Sequence, residues 1–162
     1  MDHVDKILAQ WRQERPDLDV APMGLIGRVK RLSLILAREM EKTWGAFGLN
    51  AASFDVLATL RRSGPPFSMS PSALMASTMV TSGTMTNRID QLEKAGLVER
   101  KQSPDDGRSF QISLSEKGFA LIDEAVSAHV HTQDALVAGL SKDEQRALDD
   151  LLKSFSATLE KD

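Results

Sequence analysis

The feature that most restricts this chain's fold is a change of hydrophobic period at Gly96. Before it, Met85, Ile89 and Leu92 recur at intervals of four and three, the spacing of one buried helical face. After it, Leu97-Val-Glu-Arg-Lys and Ser109-Phe-Gln-Ile-Ser-Leu alternate apolar and polar residues, as paired strands do. Ser103-Pro-Asp-Asp-Gly-Arg lies between them and has the residues of a turn. The helix is predicted from about Ser82 to Lys94, with Gly96 suited to a left-handed cap.

The segment ahead of that helix completes a pattern. Phe67-Ser-Met-Ser-Pro reads as a short extended piece in which Ser70 caps a helix and Pro71 takes its first position. The short helix runs through Ala73, Leu74 and Met75, and Thr78-Met-Val-Thr-Ser-Gly is a tight turn. Short helix, tight turn, amphipathic helix and β-hairpin is the order of a winged helix-turn-helix. The fold class is therefore mainly α with a small β-hairpin wing.

Longer helices flank this centre. Val4, Ile7, Leu8 and Trp11 mark a first helix that Pro16 ends, and residues 17–22 form a connector. A second is predicted from about Met23 to Phe47, with Leu25, Ile26, Val29, Leu32, Leu36 and Met40 as its stripe and Gly48 as its stop. Asn50 caps the next, which carries Phe54, Leu57 and Leu60 and ends at Ser63-Gly-Pro-Pro. Ser115 starts a long helix through Phe119, Leu121, Ile122 and Val126. The capping box Ser141-Lys-Asp-Glu144 starts the last, with Leu148, Leu151, Leu152 and Phe155. These stripes have few partners inside a small central domain, which predicts burial against a second copy of the chain. The expected organisation is dimerisation helices over 1–50, a DNA-binding domain over 51–114 and further dimerisation helices over 115–162. A self-contained monomeric helical cap is the alternative.

Composition excludes several classes. The chain has no cysteine, so disulfides, thiolate metal sites and thiol-based sensing are out. No apolar run approaches the roughly 20 residues that span a bilayer, and Met1-Asp-His-Val-Asp-Lys-Ile-Leu lacks the form of a secretory signal. Cytoplasmic location is the expectation. His129 and His131 stand two apart, which on a helix separates them, and His3 lies near the terminus, so no metal is expected. Neither a Gly-x-Ser-x-Gly nor a phosphate loop points to catalysis, and no cofactor is expected. Met69, Met75, Met79 and Met85 read as core filler.

The net charge of -3 argues mildly against a nucleic-acid partner, so the distribution decides. On the 82–94 helix, Gly83, Thr84, Thr86, Asn87, Asp90, Gln91 and Lys94 fall opposite the apolar stripe. Hydroxyl and amide side chains hydrogen-bond base edges and phosphates in a major groove. Arg108, at the hairpin tip, has the position and charge for a minor groove, with Asp106 near enough to aim it. Arg61, Arg62 and Lys101 are candidates for phosphates. Arg88, Lys94, Arg100, Lys101 and Arg108 are matched by Asp90, Glu93, Glu99, Asp105 and Asp106, so charge alone specifies little. A winged helix that docks protein and binds no DNA is the rival reading.

The run from Ser82-Gly-Thr-Met-Thr-Asn-Arg to Ala95-Gly-Leu-Val-Glu-Arg, then Asp105-Asp-Gly-Arg and Leu114-Ser-Glu-Lys-Gly, resembles the signature of the MarR family of bacterial regulators. The resemblance implies a homodimer of winged-helix lobes with interlocked terminal helices, bound to a pseudo-palindromic operator. It further implies repression relieved by a small, often anionic aromatic effector. By the motif, Ser82, Thr84, Thr86 and Asn87 contact bases and phosphates and Arg108 makes the wing contact. Trp11-Arg-Gln-Glu-Arg-Pro-Asp-Leu-Asp ahead of the usual first helix, with Phe54-Asp55, is similar to the urate-responsive branch. That similarity implies a pocket of Trp11, Asp55, Arg88 and Arg100, in which an anion takes Arg88 from Asp55 and shifts the recognition helix. A structural Asp55–Arg88 pair with Trp11 as packing is the alternative.

Overall fold

A computed structural model describes residues 1–78, 85–102 and 109–160. Over these the order is α1 (His3–Glu14), α2 (Ala21–Ala46), α3 (Ala51–Arg62), β1 (Ser68–Met69), α4 (Pro71–Ser77) and α5 (Met85–Lys94), followed by β2 (Val98–Gln102), β3 (Phe110–Leu114), α6 (Glu116–Val137) and α7 (Lys142–Leu159). Several helices start where a short polar side chain replaces a missing backbone partner. Asn50 Oδ1 accepts from Ser53 N–H at 2.9 Å, and Ser115 Oγ from Gly118 N–H at 2.9 Å. Ser70 caps α4 ahead of Pro71, and Ser141 and Glu144 close the predicted capping box on α7.

The chain divides into two compact units, Met1–Glu41 and Lys42–Asp162. In the first, Val4 and Leu8 of α1 bury with Val20. A Cβ on Gly24 would stand 2.9 Å from Leu8 Cδ1, so glycine permits this close approach of α1 and α2. Arg28 pairs with Asp2 at 2.8 Å and Asp5 at 2.5 Å. Its hydrogen bond to Asp2 holds that carboxyl down at about 2. The predicted stripe of α2 is present, but Leu25, Ile26 and Leu32 are each more than half exposed.

The second unit carries the main core. Val56, Leu57 and Leu60 of α3 are sealed from solvent and pack with Leu74 of α4, Ile89 and Leu92 of α5, Ile112 of β3 and Ile122 of α6. Burial of each such side chain is worth about 1.5–3 kcal/mol. The core thus draws residues from almost every element of the winged helix, and this sets where α5 lies.

The hairpin pairs β2 with β3 antiparallel, from Val98 opposite Leu114 to Gln102 opposite Phe110. The extended piece after the two prolines becomes a third strand, with β1 on the other edge of β3 and Ser68 opposite Ser113. Sequence pattern predicted the hairpin alone, because two residues are too few to show alternation. Side chains reinforce the pairing: Ser113 Oγ donates to Ser68 Oγ at 2.8 Å, and Ser68 Oγ to Gln111 Oε1 at 2.9 Å. Phe67 turns the chain into β1 with φ of 58°, a region that bulky residues rarely adopt. Its carbonyl accepts from Leu114 N–H at 3.1 Å, and its ring meets that of Phe119 edge-on at 5.0 Å.

Candidate nucleic-acid interface

Within α5 the division of faces follows the sequence. Met85, Ile89 and Leu92 are buried, whereas Thr86 and Asn87 are exposed and Arg88 is half-buried between the two. Thr81, Ser82, Gly83 and Thr84, with the wing residues Asp105, Asp106 and Arg108, lie outside the described residues. The described part of the candidate interface is therefore the exposed side of α5 from Thr86 onward and the root of the wing.

Polar contacts brace α5 on both flanks. Arg88 Nη1 donates to Asn50 Oδ1 at 2.7 Å. The acceptor is the N-cap of α3, the helix that also carries Asp55. On the other flank, Arg100 of β2 donates to Glu93 Oε2 at 2.8 Å and to Asp90 Oδ1, with its guanidinium 5.7 Å from the centre of the Phe110 ring. Asp90, which pattern placed on the open side, is thus turned to the wing root. Arg100, which the resemblance placed in an effector pocket, has two carboxylates of the recognition helix as partners. Hydrogen bonding to Asp90 raises the already high pKa of Arg100.

The basic candidates for phosphates are also engaged. Arg61 Nε donates to Asp123 Oδ1 at 2.8 Å, and its guanidinium lies 4.5 Å over the Phe119 ring and 5.3 Å from Phe67. This ties α3 to α6. Arg62 Nη2 donates to the carbonyl of Ser77 at 2.5 Å, at the C-terminal end of α4. Lys101 pairs with Glu99 at 3.0 Å and keeps a well-exposed side chain. Among the described residues, the matched signs noted in the sequence give the pairs of Arg100 with Asp90 and Glu93 and of Lys101 with Glu99. Exposed pairs of this kind are worth about 0–1 kcal/mol each, so they orient more than they stabilise.

Trp11 lies on α1 with 41% of its surface exposed. Asp55 sits on α3, five residues after the cap that holds Arg88. His129, set aside in the sequence as an unpaired histidine, has an aromatic role. Its ring stacks on Trp44 at 5.7 Å and tilts against Phe54 at 4.8 Å, and Trp44 Nε1 donates to its Nδ1 at 3.3 Å. Burial lowers its pKa. Neither this cluster nor the second partner of Asn50 had a local signal, since both join residues far apart in the chain. Among the described residues, no group of His, Asp and Glu is placed to hold a metal, and no helix is long and apolar enough to cross a membrane.

A short capped helix, a core-anchored helix with an open polar face, and an antiparallel wing define a winged helix-turn-helix protein. The sequence profile of the MarR family matches residues 49–110. The HTH-type transcriptional regulator PecS of Dickeya dadantii is 43% identical over 149 residues, spanning 92% of this chain and 90% of that protein. The chain belongs to the MarR family of DNA-binding transcription regulators. A MarR-like regulator of Bacillus cereus superimposes with a TM-score of 0.77 over 88% of this chain and all of that one; at 21% identity it bears on the fold alone. BpsR of Bordetella bronchiseptica, whose DNA binding is regulated by 6-hydroxynicotinic acid, has a TM-score of 0.71 and 25% identity over 84% of this chain and 93% of its own. These relatives are regulators, and the chain is no enzyme.

Proposed function

We propose that the protein is a homodimeric repressor that releases a pseudo-palindromic operator when a small aromatic anion binds. The observation that carries the dimer is apolar surface without cover. α7 buries none of its residues, and Leu148, Leu151 and Leu152 lie open along it, as Leu25, Ile26 and Leu32 do along α2. Such stripes on a soluble chain are interface surface. Residues 1–50 and 115–162 make the dimer layer, and 51–114 bind DNA. Ser82, Thr84, Thr86 and Asn87 contact the major groove, and Arg108 the minor groove.

The effector reading rests on the similarity to the urate-responsive branch and on the chemistry of Arg88. Its acceptor is a neutral amide oxygen, a weaker hold on a guanidinium than a carboxylate provides. An incoming carboxylate or urate anion competes for that cation, with Trp11, Asp55 and Arg100 as the other implied ligand residues. Only an effector that binds the released state better than the DNA-bound state shifts the equilibrium.

Duplexes enriched by the protein from a random-sequence library supply the probe. Replacing both Asn87 and Arg108 by Ala is expected to weaken binding at least tenfold, and unchanged binding sinks the interface. Urate, xanthine, salicylate and 6-hydroxynicotinate are then titrated into the complex, beside Asp55→Asn. Release by at least one, altered in the variant, supports the effector site; no release by any, or an identical response, counts against it.

A further inference from the structure

The open face of α5 can match a groove only at one rotation about the helix axis. A helix is about 10–12 Å across with its side chains, so a rotation of about 20° carries a side-chain tip roughly 2 Å. That is several times the width, about 0.5 Å, of the 2.7–3.2 Å window in which a hydrogen bond holds. Met85, Ile89 and Leu92 anchor one face, but apolar contacts are non-directional and leave small rotations cheap. Rotation is opposed by directional contacts on the flanks. At about 100° per residue, Arg88 lies to one side of the buried stripe, and Glu93 and Asp90 lie to the other.

We propose that Asn50 is a positioning residue for DNA recognition: by accepting from Arg88 it sets the rotation at which α5 presents Thr86 and Asn87. The proposal rests on α5 being the DNA-reading helix. Asn50 Oδ1 receives Ser53 N–H at 2.9 Å and Arg88 Nη1 at 2.7 Å. A carbonyl oxygen has two lone pairs, so this one atom caps α3 and fixes α5 together. The cap is itself held in place, because Ser53 is buried and α3 supplies the centre of the core. Arg88 directly follows Asn87, so movement of its anchor passes to the reading residues without an intervening joint. The two flanks differ in chemistry: Arg100 grips α5 through two carboxylates, whereas the contact between Arg88 and Asn50 is to a neutral amide oxygen.

The two duties of Asn50 separate by substitution. Asn50→Ser keeps an oxygen able to cap the helix but shortens the side chain so that it no longer reaches Arg88. Arg88→Gln removes the guanidinium and leaves the cap untouched. Affinity for a duplex enriched by the unmodified protein from a random-sequence library is measured for both variants and the double variant, with the thermal midpoint of each. Each single change is expected to weaken binding about tenfold while shifting the midpoint by no more than about 2 °C. The double variant is expected to bind no more weakly than the worse single one, since both remove the same contact. Asn50→Ser binding like the unmodified protein overturns the proposal, and so does a double loss equal to the product of the single ones. A protein that enriches no duplex at all overturns the DNA-reading assignment, and the proposal with it.

Discussion

The guanidinium of Arg61 lies 4.5 Å over the ring of Phe119 while its Nε holds Asp123 at 2.8 Å, so one side chain ties α3 to α6 by two kinds of contact. A cation over a ring contributes about 0.5–1 kcal/mol at an exposed site, and an exposed ion pair adds up to about 1 kcal/mol. Arg61→Ala is expected to lower stability by about 1–2 kcal/mol in urea unfolding. Arg61→Lys should recover part of this, since lysine keeps the charge without the planar fork. The slope of DNA affinity against salt should not change in either variant. A slope lowered by about 1 would instead place Arg61 on a phosphate.

Gly118 stands in the first turn of α6, where a Cβ would lie 1.9 Å from the carbonyl oxygen of Leu97. Helix propensity alone predicts that Gly118→Ala stabilises, by about 1 kcal/mol. The neighbour is backbone, however, and that carbonyl also accepts from Ser115 N–H at 3.1 Å, so it cannot step aside freely. The expected result is a net loss of about 2 kcal/mol or more, from overpacking that exceeds the propensity gain. A thermal midpoint that rises in the variant contradicts this packing.

His129 gives stability a pH dependence of definite sign. Burial lowers its pKa in the folded chain below the ordinary value of 6.5, so the unfolded chain takes up its proton first. Its contribution is complete above the unfolded value and is lost as pH falls through the folded one. The contact agrees: Nδ1 accepts from the Trp44 indole at 3.3 Å, and a protonated imidazole has no free acceptor there. The thermal midpoint is expected to fall between pH 7.5 and pH 5. His129→Phe, which keeps a ring against Trp44 and Phe54, should flatten that part of the profile. An unflattened profile assigns the dependence to another group.

The elements and their faces are legible from local pattern alone. The change of period at Gly96, the caps at Asn50, Ser70, Ser115 and Ser141, and the stripe of Met85, Ile89 and Leu92 are local patterns, and each reappears in the fold. Periodicity tells which face is apolar, and capping chemistry acts within three residues, so neither needs the rest of the chain. Where polar side chains place their hydrogen bonds depends instead on how the elements pack. Arg61 and Arg62 donate to Asp123 and to the carbonyl of Ser77; Arg88 donates to Asn50; Arg100 holds α5. The same holds for β1, which is a strand because β3 offers it an edge, and for Gly118, whose worth lies in the backbone of Leu97. The physical reason is range. A guanidinium at the end of a long flexible stem chooses among acceptors that folding brings near it, and those come from other elements, 7 to 62 residues away along the chain.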